Sequence, residues 1–128
     1  MKWSSAKKYC ESIGGHLVTI TSEGEQKQIV KQLKKMKKNQ KNNYWIGAKQ
    51  SNNGDVKWVT KEKFQYSNWA TGQPDRSNED CIMIYTIDNP YTYGDDSYLW
   101  NDLVNEGIFG TESWFGLDNF GFICEWDK

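Results

Sequence analysis

Apolar residues recur every three or four positions near the start of the chain, and this spacing predicts a short helix with one buried face. The apolar positions are Ala6, Tyr9, Cys10 and Ile13. Ser4 or Ser5 can cap the start of this helix, because a serine side chain accepts a hydrogen bond from a backbone N–H of the first turn. Gly14 and Gly15 then predict its end, since glycine readily adopts the left-handed conformation that follows many helices.

A second helix is predicted after an extended segment at residues 16–20. Ser22 and Glu25 have the spacing of a capping box, in which each side chain satisfies a backbone N–H of the first turn. The helix should run to about Lys38, with an apolar stripe formed by Ile29, Val30, Leu33 and Met36. Its other face carries lysines, for which a solvated surface is the simplest interpretation and a specific anionic partner the alternative.

Beyond Asn43, short apolar segments alternate with turns rich in asparagine, aspartate and glycine, a pattern typical of β-strands. The apolar segments lie at residues 44–47, 56–59, 81–85, 98–100 and 121–124. Residues 52–55 predict a hairpin turn. Two helices followed by strands indicate an α+β fold, with the helices packed on small, mostly antiparallel sheets. The connections at residues 65–80, 86–97 and 103–119 are long and irregular, and loops of such length are usually functional.

Length, net charge and the distribution of apolar residues limit the number of domains and the classes of partner. A length of 128 residues predicts one domain, spanning residues 1–128. The net charge of −1, from 16 basic and 17 acidic residues, argues against nucleic acid, whose binding requires a surplus of positive charge. No apolar run approaches the ~20 residues that a membrane span needs. No signal peptide opens the sequence, so we expect a piece of a longer protein.

Several short motifs follow one another along almost the whole chain, from Trp3 to Glu125. They are Trp3-Ser-Ser-Ala-Lys-Lys-Tyr-Cys10, Gly14-Gly-His-Leu17, Trp45-Ile-Gly47, Gln73-Pro-Asp75, Glu79-Asp-Cys81, Trp100-Asn-Asp102 and Phe122-Ile-Cys-Glu125. In this order and spacing they resemble the C-type lectin-like domain. The resemblance implies that family's fold, in which two helices pack on small antiparallel sheets beside a long irregular loop region that binds ligands.

The resemblance also implies a disulfide between Cys10, in the first helix, and Cys124, in the last strand. Such a bond is typical of an oxidising environment, so we expect a secreted or cell-surface protein. Two buried thiols are the alternative, because cysteine is also a common core residue. Cys81 occupies a position whose partner in the family follows the Trp-Asn-Asp motif, and this chain has no cysteine there. We expect Cys81 to be a buried thiol.

Residues 73–106 contain eight acidic residues and one arginine, which makes this stretch a candidate cation site. The residues that match the family's metal ligands all offer oxygen atoms; they are Gln73, Asp75, Glu79, Asn101 and Asp102. Calcium takes six to eight oxygen ligands, whereas zinc prefers histidine or cysteine, and the only histidine lies far away in sequence. Ca2+ is therefore the expected cofactor, although Gln-Pro-Asp could also be a plain polar turn.

In the family, the residues that hold calcium also bind two neighbouring sugar hydroxyls, and the order Gln-Pro-Asp goes with galactose-type sugars. The expected carbohydrate ligands are thus galactose or N-acetylgalactosamine glycans, bound by the same five residues. Galactose-binding relatives usually carry a stacking aromatic just after this motif, but here Arg76 follows. Tyr98 or Trp114 is the predicted substitute, with packing of its own loop as the alternative role.

Three functions follow from this pattern. The first is a calcium-dependent carbohydrate-binding module of galactose type. The second is a protein-binding or adhesion module that uses the long inserts as its contact surface, with calcium only ordering the loops. The third, an enzyme, is not expected, because one histidine leaves no Ser-His-Asp arrangement and the paired carboxylates are committed to the metal.

Overall fold

The structure is a computed structural model that describes residues 1–36, 41–51, 53–70, 81–86, 98–107 and 116–126. Its helices are α1 (Trp3–Ser12) and α2 (Glu23–Lys35). Its strands are β1 (His16–Leu17), β2 (Asn43–Gln50), β3 (Val56–Trp58), β4 (Cys81–Tyr85), β5 (Trp100–Leu103), β6 (Phe120–Phe122) and β7 (Cys124–Glu125). The predicted residues Gln73, Asp75, Glu79 and Trp114 lie outside the described ranges. The predicted α+β architecture is confirmed.

Helix α1 is capped from a distant part of the chain. Its backbone N–H groups at Trp3 and Ser4 donate to the carbonyl oxygen of Asn105 at 3.2 Å and to its Oδ1 at 2.7 Å. The prediction of a cap by Ser4 or Ser5 is wrong, because both serines lie inside the helix. The predicted end is confirmed: Gly14 has a φ of +88°, which glycine adopts without strain.

Helix α2 begins as predicted and ends earlier. Ser22 Oγ accepts a hydrogen bond from the Glu25 N–H at 3.2 Å, and a Glu25 carboxylate oxygen in turn accepts from the N–H of Thr21 at 3.1 Å. The helix ends at Lys35 instead of Lys38, and Met36 forms its C-cap. Of the predicted apolar stripe, Leu33 is buried and Met36 is exposed.

The main sheet has the strand order β3-β2-β4-β5, with β6 pairing alongside β2 in parallel. The other pairings are antiparallel, and β1 with β7 forms a separate two-stranded sheet. β5 is therefore the edge strand on one side. It begins at Trp100, two residues later than predicted, because Tyr98 has a φ of +63° and belongs to a turn.

Two apolar clusters fill the interior. One contains Trp3 and Cys10 of α1 with Trp45, and the other contains Leu33 of α2 with Trp100. The predicted disulfide between Cys10 and Cys124 is present and ties α1 to β7 across 114 residues. Cys81 is buried on β4, as expected. Among the described residues, neither helix has the length and apolar character needed to cross a membrane.

Candidate functional site

Two of the five predicted calcium ligands, Asn101 and Asp102, are adjacent on the edge strand β5. Asn101 pairs with Met83 and Asp102 with Ile82 in the antiparallel ladder with β4. Both side chains are buried, at 7% and 2% exposure, although each carries polar atoms. Buried amide and carboxylate groups need polar partners or a bound ion, so this pair marks a polar site at the sheet edge.

Hydrogen bonds to residues 68–70 show that the backbone N–H and C=O of Trp100 in β5 point away from β4. Trp100 donates its N–H to the carbonyl oxygen of Asn68 and accepts from the N–H of Ala70, each at 2.9 Å. Backbone groups of an edge strand alternate in direction, so the N–H and C=O of Asp102 face the same outer side as those of Trp100. The outer edge of β5 is therefore where ligands could gather.

The side-chain oxygen of Asn101 accepts from the Asp102 N–H, which by the alternation of the strand faces the outer edge, so we infer that this oxygen lies toward that edge. The Nδ2 of Asn101 donates to the Tyr85 hydroxyl at 2.6 Å, while its Oδ1 accepts from the N–H of Asp102 at 2.9 Å. An amide oxygen carries two lone pairs, so Oδ1 can face a cation while keeping this hydrogen bond. The bond to Tyr85 fixes which end of the amide points outward.

The remaining predicted ligands lie on a segment whose two ends the structure does describe. Residues 71–80 follow Ala70, which is hydrogen-bonded to Trp100, and precede Cys81, which pairs with Leu103. The two described residues that flank this segment, Ala70 and Cys81, thus both lie beside the strand that carries Asn101 and Asp102. Within the described residues alone, no three His, Cys, Asp or Glu side chains are grouped to hold a metal ion.

Gln26 of α2 supports β5, and the sequence reasoning missed it. Its Nε2 donates to the Tyr98 carbonyl oxygen at 2.8 Å, and its Oε1 accepts from the Trp100 Nε1–H at 3.0 Å. The side chain is 5% exposed. The signal that could have found it is its position one helical turn before the apolar stripe of α2, which places a polar residue on the buried face.

Aromatic rings surround Trp100 on the α2 side of the sheet. The ring centroids of Trp58, Tyr66 and Trp69 lie 5.7, 5.9 and 5.7 Å from it, each in an edge-to-face arrangement. Pairs of this geometry contribute about 0.5–1.5 kcal/mol beyond the area they bury. Burial also raises the pKa of the Tyr66 hydroxyl, and the negative charge of Glu23 raises it further. This cluster keeps β5 and its two polar residues in place.

Tyr98, one of the two predicted sugar-stacking residues, is packed against α2. Its ring is 6% exposed, and Lys34 Nζ lies 5.6 Å from the ring centroid. A ring so covered offers little surface to a sugar at the outer edge of β5. The stacking role of Tyr98 stays a prediction that its position does not support, and Trp114 lies outside the described residues.

Residues 1–105 match the family model of the lectin C-type domain. The chain belongs to the C-type lectin domain family. A perlucin-like protein of Mytilus galloprovincialis is 36% identical to this C-type lectin domain over an aligned length of 125 residues, and the match covers 95% of the chain and 68% of that relative. Human asialoglycoprotein receptor 2 is 38% identical over 91 residues, covering 64% of the chain and 27% of the receptor.

Among solved structures, SPL-2 of Saxidomus purpuratus superposes with a TM-score of 0.66 at 30% identity, over 81% of this chain and 70% of that one. It is described as a Ca2+-independent C-type lectin. Family membership alone therefore does not show whether a domain depends on calcium, because that depends on the residues of each chain. Other curated relatives are longer, and the chain spans between 27% and 43% of their length.

Proposed function

We propose that this C-type lectin domain binds carbohydrate through a calcium ion held by Gln73, Asp75, Glu79, Asn101 and Asp102. The observation that carries the proposal is the Asn101 side-chain oxygen held at the Asp102 N–H on an edge strand, with Ala70 and Cys81, the described residues that flank residues 71–80, beside the same strand. Carbohydrate binding is the function that its family relationship supports, and binding here involves no catalysis.

The described donors fit calcium. Asn101 offers an amide oxygen and Asp102 a carboxylate, and hard oxygen donors of these two kinds are what Ca2+ prefers. Three carboxylates and two amides would surround the dication, leaving the site close to neutral in charge. When bound, the ion would supply open coordination positions to two neighbouring sugar hydroxyls. Asp102 would accept a hydrogen bond from one of these hydroxyls, and the second Nδ2 hydrogen of Asn101 would be donated to the other, with Tyr85 holding the Asn101 amide in orientation.

Galactose or N-acetylgalactosamine is the proposed sugar. Residues 73–75 read Gln-Pro-Asp, the order that the resemblance associates with galactose-type ligands, since exchanging amide and carboxylate reverses the hydrogen-bond pattern offered to a diol. A relative named as a receptor for asialoglycoproteins agrees with a glycoprotein ligand. The Cys10–Cys124 disulfide supports an extracellular or cell-surface location for the parent protein, where such ligands occur.

Calorimetric titration of galactose and N-acetylgalactosamine, in calcium and then in chelator, tests the proposal. We expect binding in calcium that chelator abolishes. Asp102→Asn should also abolish it, because the variant removes one carboxylate from the metal site. Asp118→Asn is the matched control, since Asp118 is exposed and lies outside the proposed site. Sugar binding that persists unchanged in chelator contradicts the role of calcium.

A protein-binding module is the second candidate, favoured by Arg76 in the place of the usual stacking aromatic. In this case calcium only orders the loops. The expected result is a calcium-dependent stabilisation of about 2.7 kcal/mol at a hundredfold excess over the dissociation constant, with no monosaccharide binding. A saturable change in tryptophan fluorescence on adding galactose contradicts this second function.

A further inference from the structure

A pocket of about 470 Å³ lies between helix α2 and the turn that precedes β5. The calcium site proposed above makes no use of it. Its lining includes three lysines of α2, together with Val30, Asn68 and Tyr98. Its volume falls within the range of pockets that hold small ligands, about 300–1,000 Å³. A solvated surface is the simplest interpretation of these lysines from the sequence, with a specific anionic partner as the alternative, and the structure places them beside a pocket.

The pocket is positively charged along one wall. Lys27, Lys31 and Lys34 follow one another at spacings of four and three residues, so they project from one side of α2 over about 10 Å of helix axis. All three are exposed, and none of the described residues that line the pocket is acidic. Lys27 lies 3.7 Å from Glu23, but both side chains of that pair are more than 70% exposed, so water and salt screen the attraction.

The floor of the pocket combines apolar and hydrogen-bonding groups. Val30 supplies apolar surface, the Asn68 amide supplies a donor and an acceptor, and the covered side chain of Tyr98 closes the floor beneath them. Tyr98 reaches this place because its backbone adopts a φ of +63°, a conformation that costs energy for a tyrosine. The bond from Gln26 to the Tyr98 carbonyl oxygen holds it there.

We propose that this pocket is a second, calcium-independent site that binds an anionic glycan, one that carries sulfate or carboxylate groups. Such a ligand presents anions to the lysines, ring C–H groups to Val30, and hydroxyls to Asn68. The site does not depend on the calcium site or on its sugar. A domain with both sites could hold a neutral and an acidic sugar at once.

Other anionic partners fit this pocket less well. A lipid surface would contact exposed apolar side chains, but the large ones in the described part of the chain (Met1, Tyr9, Ile13, Met36 and Trp126) do not line it. Single-stranded nucleic acid needs exposed aromatic faces for stacking, whereas Tyr98 is 6% exposed.

Binding to immobilised heparin, measured by surface plasmon resonance in chelator, tests this inference. We expect saturable binding that weakens as sodium chloride is raised. The variant Lys27→Gln/Lys31→Gln/Lys34→Gln should bind about tenfold more weakly, since each exposed ion pair contributes roughly a factor of two. Glutamine has nearly the helix propensity of lysine, so α2 should remain folded.

The control variant Lys8→Gln/Lys57→Gln/Lys63→Gln removes the same charge from exposed lysines that do not line the pocket. It should bind heparin within about twofold of the unmodified chain. Equal losses in both variants would overturn the inference, because they would show an effect of net charge alone. Competition by polyglutamate as strong as that by free heparin would overturn it as well, by assigning the pocket to acidic peptides. Binding to galactose in calcium should be unchanged in both variants.

Discussion

Replacing Gln26 with alanine should weaken the domain and its calcium site together. The side chain makes two buried hydrogen bonds, to the Tyr98 carbonyl oxygen at 2.8 Å and from Trp100 Nε1 at 3.0 Å. Alanine leaves both partner groups without these bonds, and an unsatisfied buried polar group costs about 1–3 kcal/mol. Gln26 also lines the pocket beside α2, so water can replace part of the loss. We therefore expect the free energy of unfolding to fall by about 2–4 kcal/mol.

Urea unfolding followed by circular dichroism measures this change, with Gln28→Ala as the matched control. Gln28 belongs to the same helix and is exposed, so its replacement should change stability by less than about 0.5 kcal/mol. Because Trp100 precedes the proposed ligands Asn101 and Asp102, Gln26→Ala should also lower calcium affinity in the folded protein. Equal stability of the two variants would refute the structural role assigned to Gln26.

Three further predictions concern the remainder of the fold. Replacing Cys10 and Cys124 with serine should lower stability by roughly 4–5 kcal/mol, because the disulfide closes a loop of 114 residues; thermal unfolding with and without reductant measures it. Asn105→Ala should cost about 1 kcal/mol by removing the bond to the Ser4 N–H, and an unchanged urea midpoint would speak against this cap. Burial raises the pKa of the Tyr44 hydroxyl above its ordinary value of 10.0, so the neutral form is favoured in the folded state. The contribution of this hydroxyl to the free energy of unfolding is therefore complete below pH 10 and is lost as the pH rises through the folded-state pKa. Measured against pH, the stability of Tyr44→Phe should lack this alkaline loss.

Local sequence patterns predicted most of the helices and strands. The apolar spacing and the Ser22 cap predicted α2, and the alternation of short apolar runs with turns predicted β2, β3 and β4. These features depend on residues within a few positions of one another, so a single sequence contains the information. The disulfide spans 114 residues and was predicted only through the resemblance to C-type lectins.

The features that the sequence did not predict depend on contacts between distant segments of the chain. Asn105 caps α1 from 101 residues away, and no local signal distinguishes it from Ser4 or Ser5. Gln26 meets partners 72 and 74 residues along the chain, so its supporting role is invisible before the helix and the sheet are brought together. The pocket beside the lysines of α2 could not be predicted either, because Asn68 and Tyr98, which complete its lining, are distant from α2 in sequence.

The residues of the candidate site stay a prediction from the sequence, to which the structure adds the placement of two of them. The motif Trp100-Asn-Asp102 predicts two oxygen ligands, and their placement on an edge strand follows only from the pairing of β5 with β4. The orientation of the Asn101 amide depends on Tyr85, which lies 16 residues away and was not singled out from the sequence.

Titration of Ca2+ into chelator-treated protein, with and without saturating N-acetylgalactosamine, tests the central claim most directly. If one site holds both, the sugar must raise calcium affinity by the same factor by which calcium raises sugar affinity. We predict a measurable calcium isotherm that tightens when the sugar is present, and its loss in Asp102→Asn. A calcium affinity that is identical with and without the sugar would contradict a shared calcium and carbohydrate site.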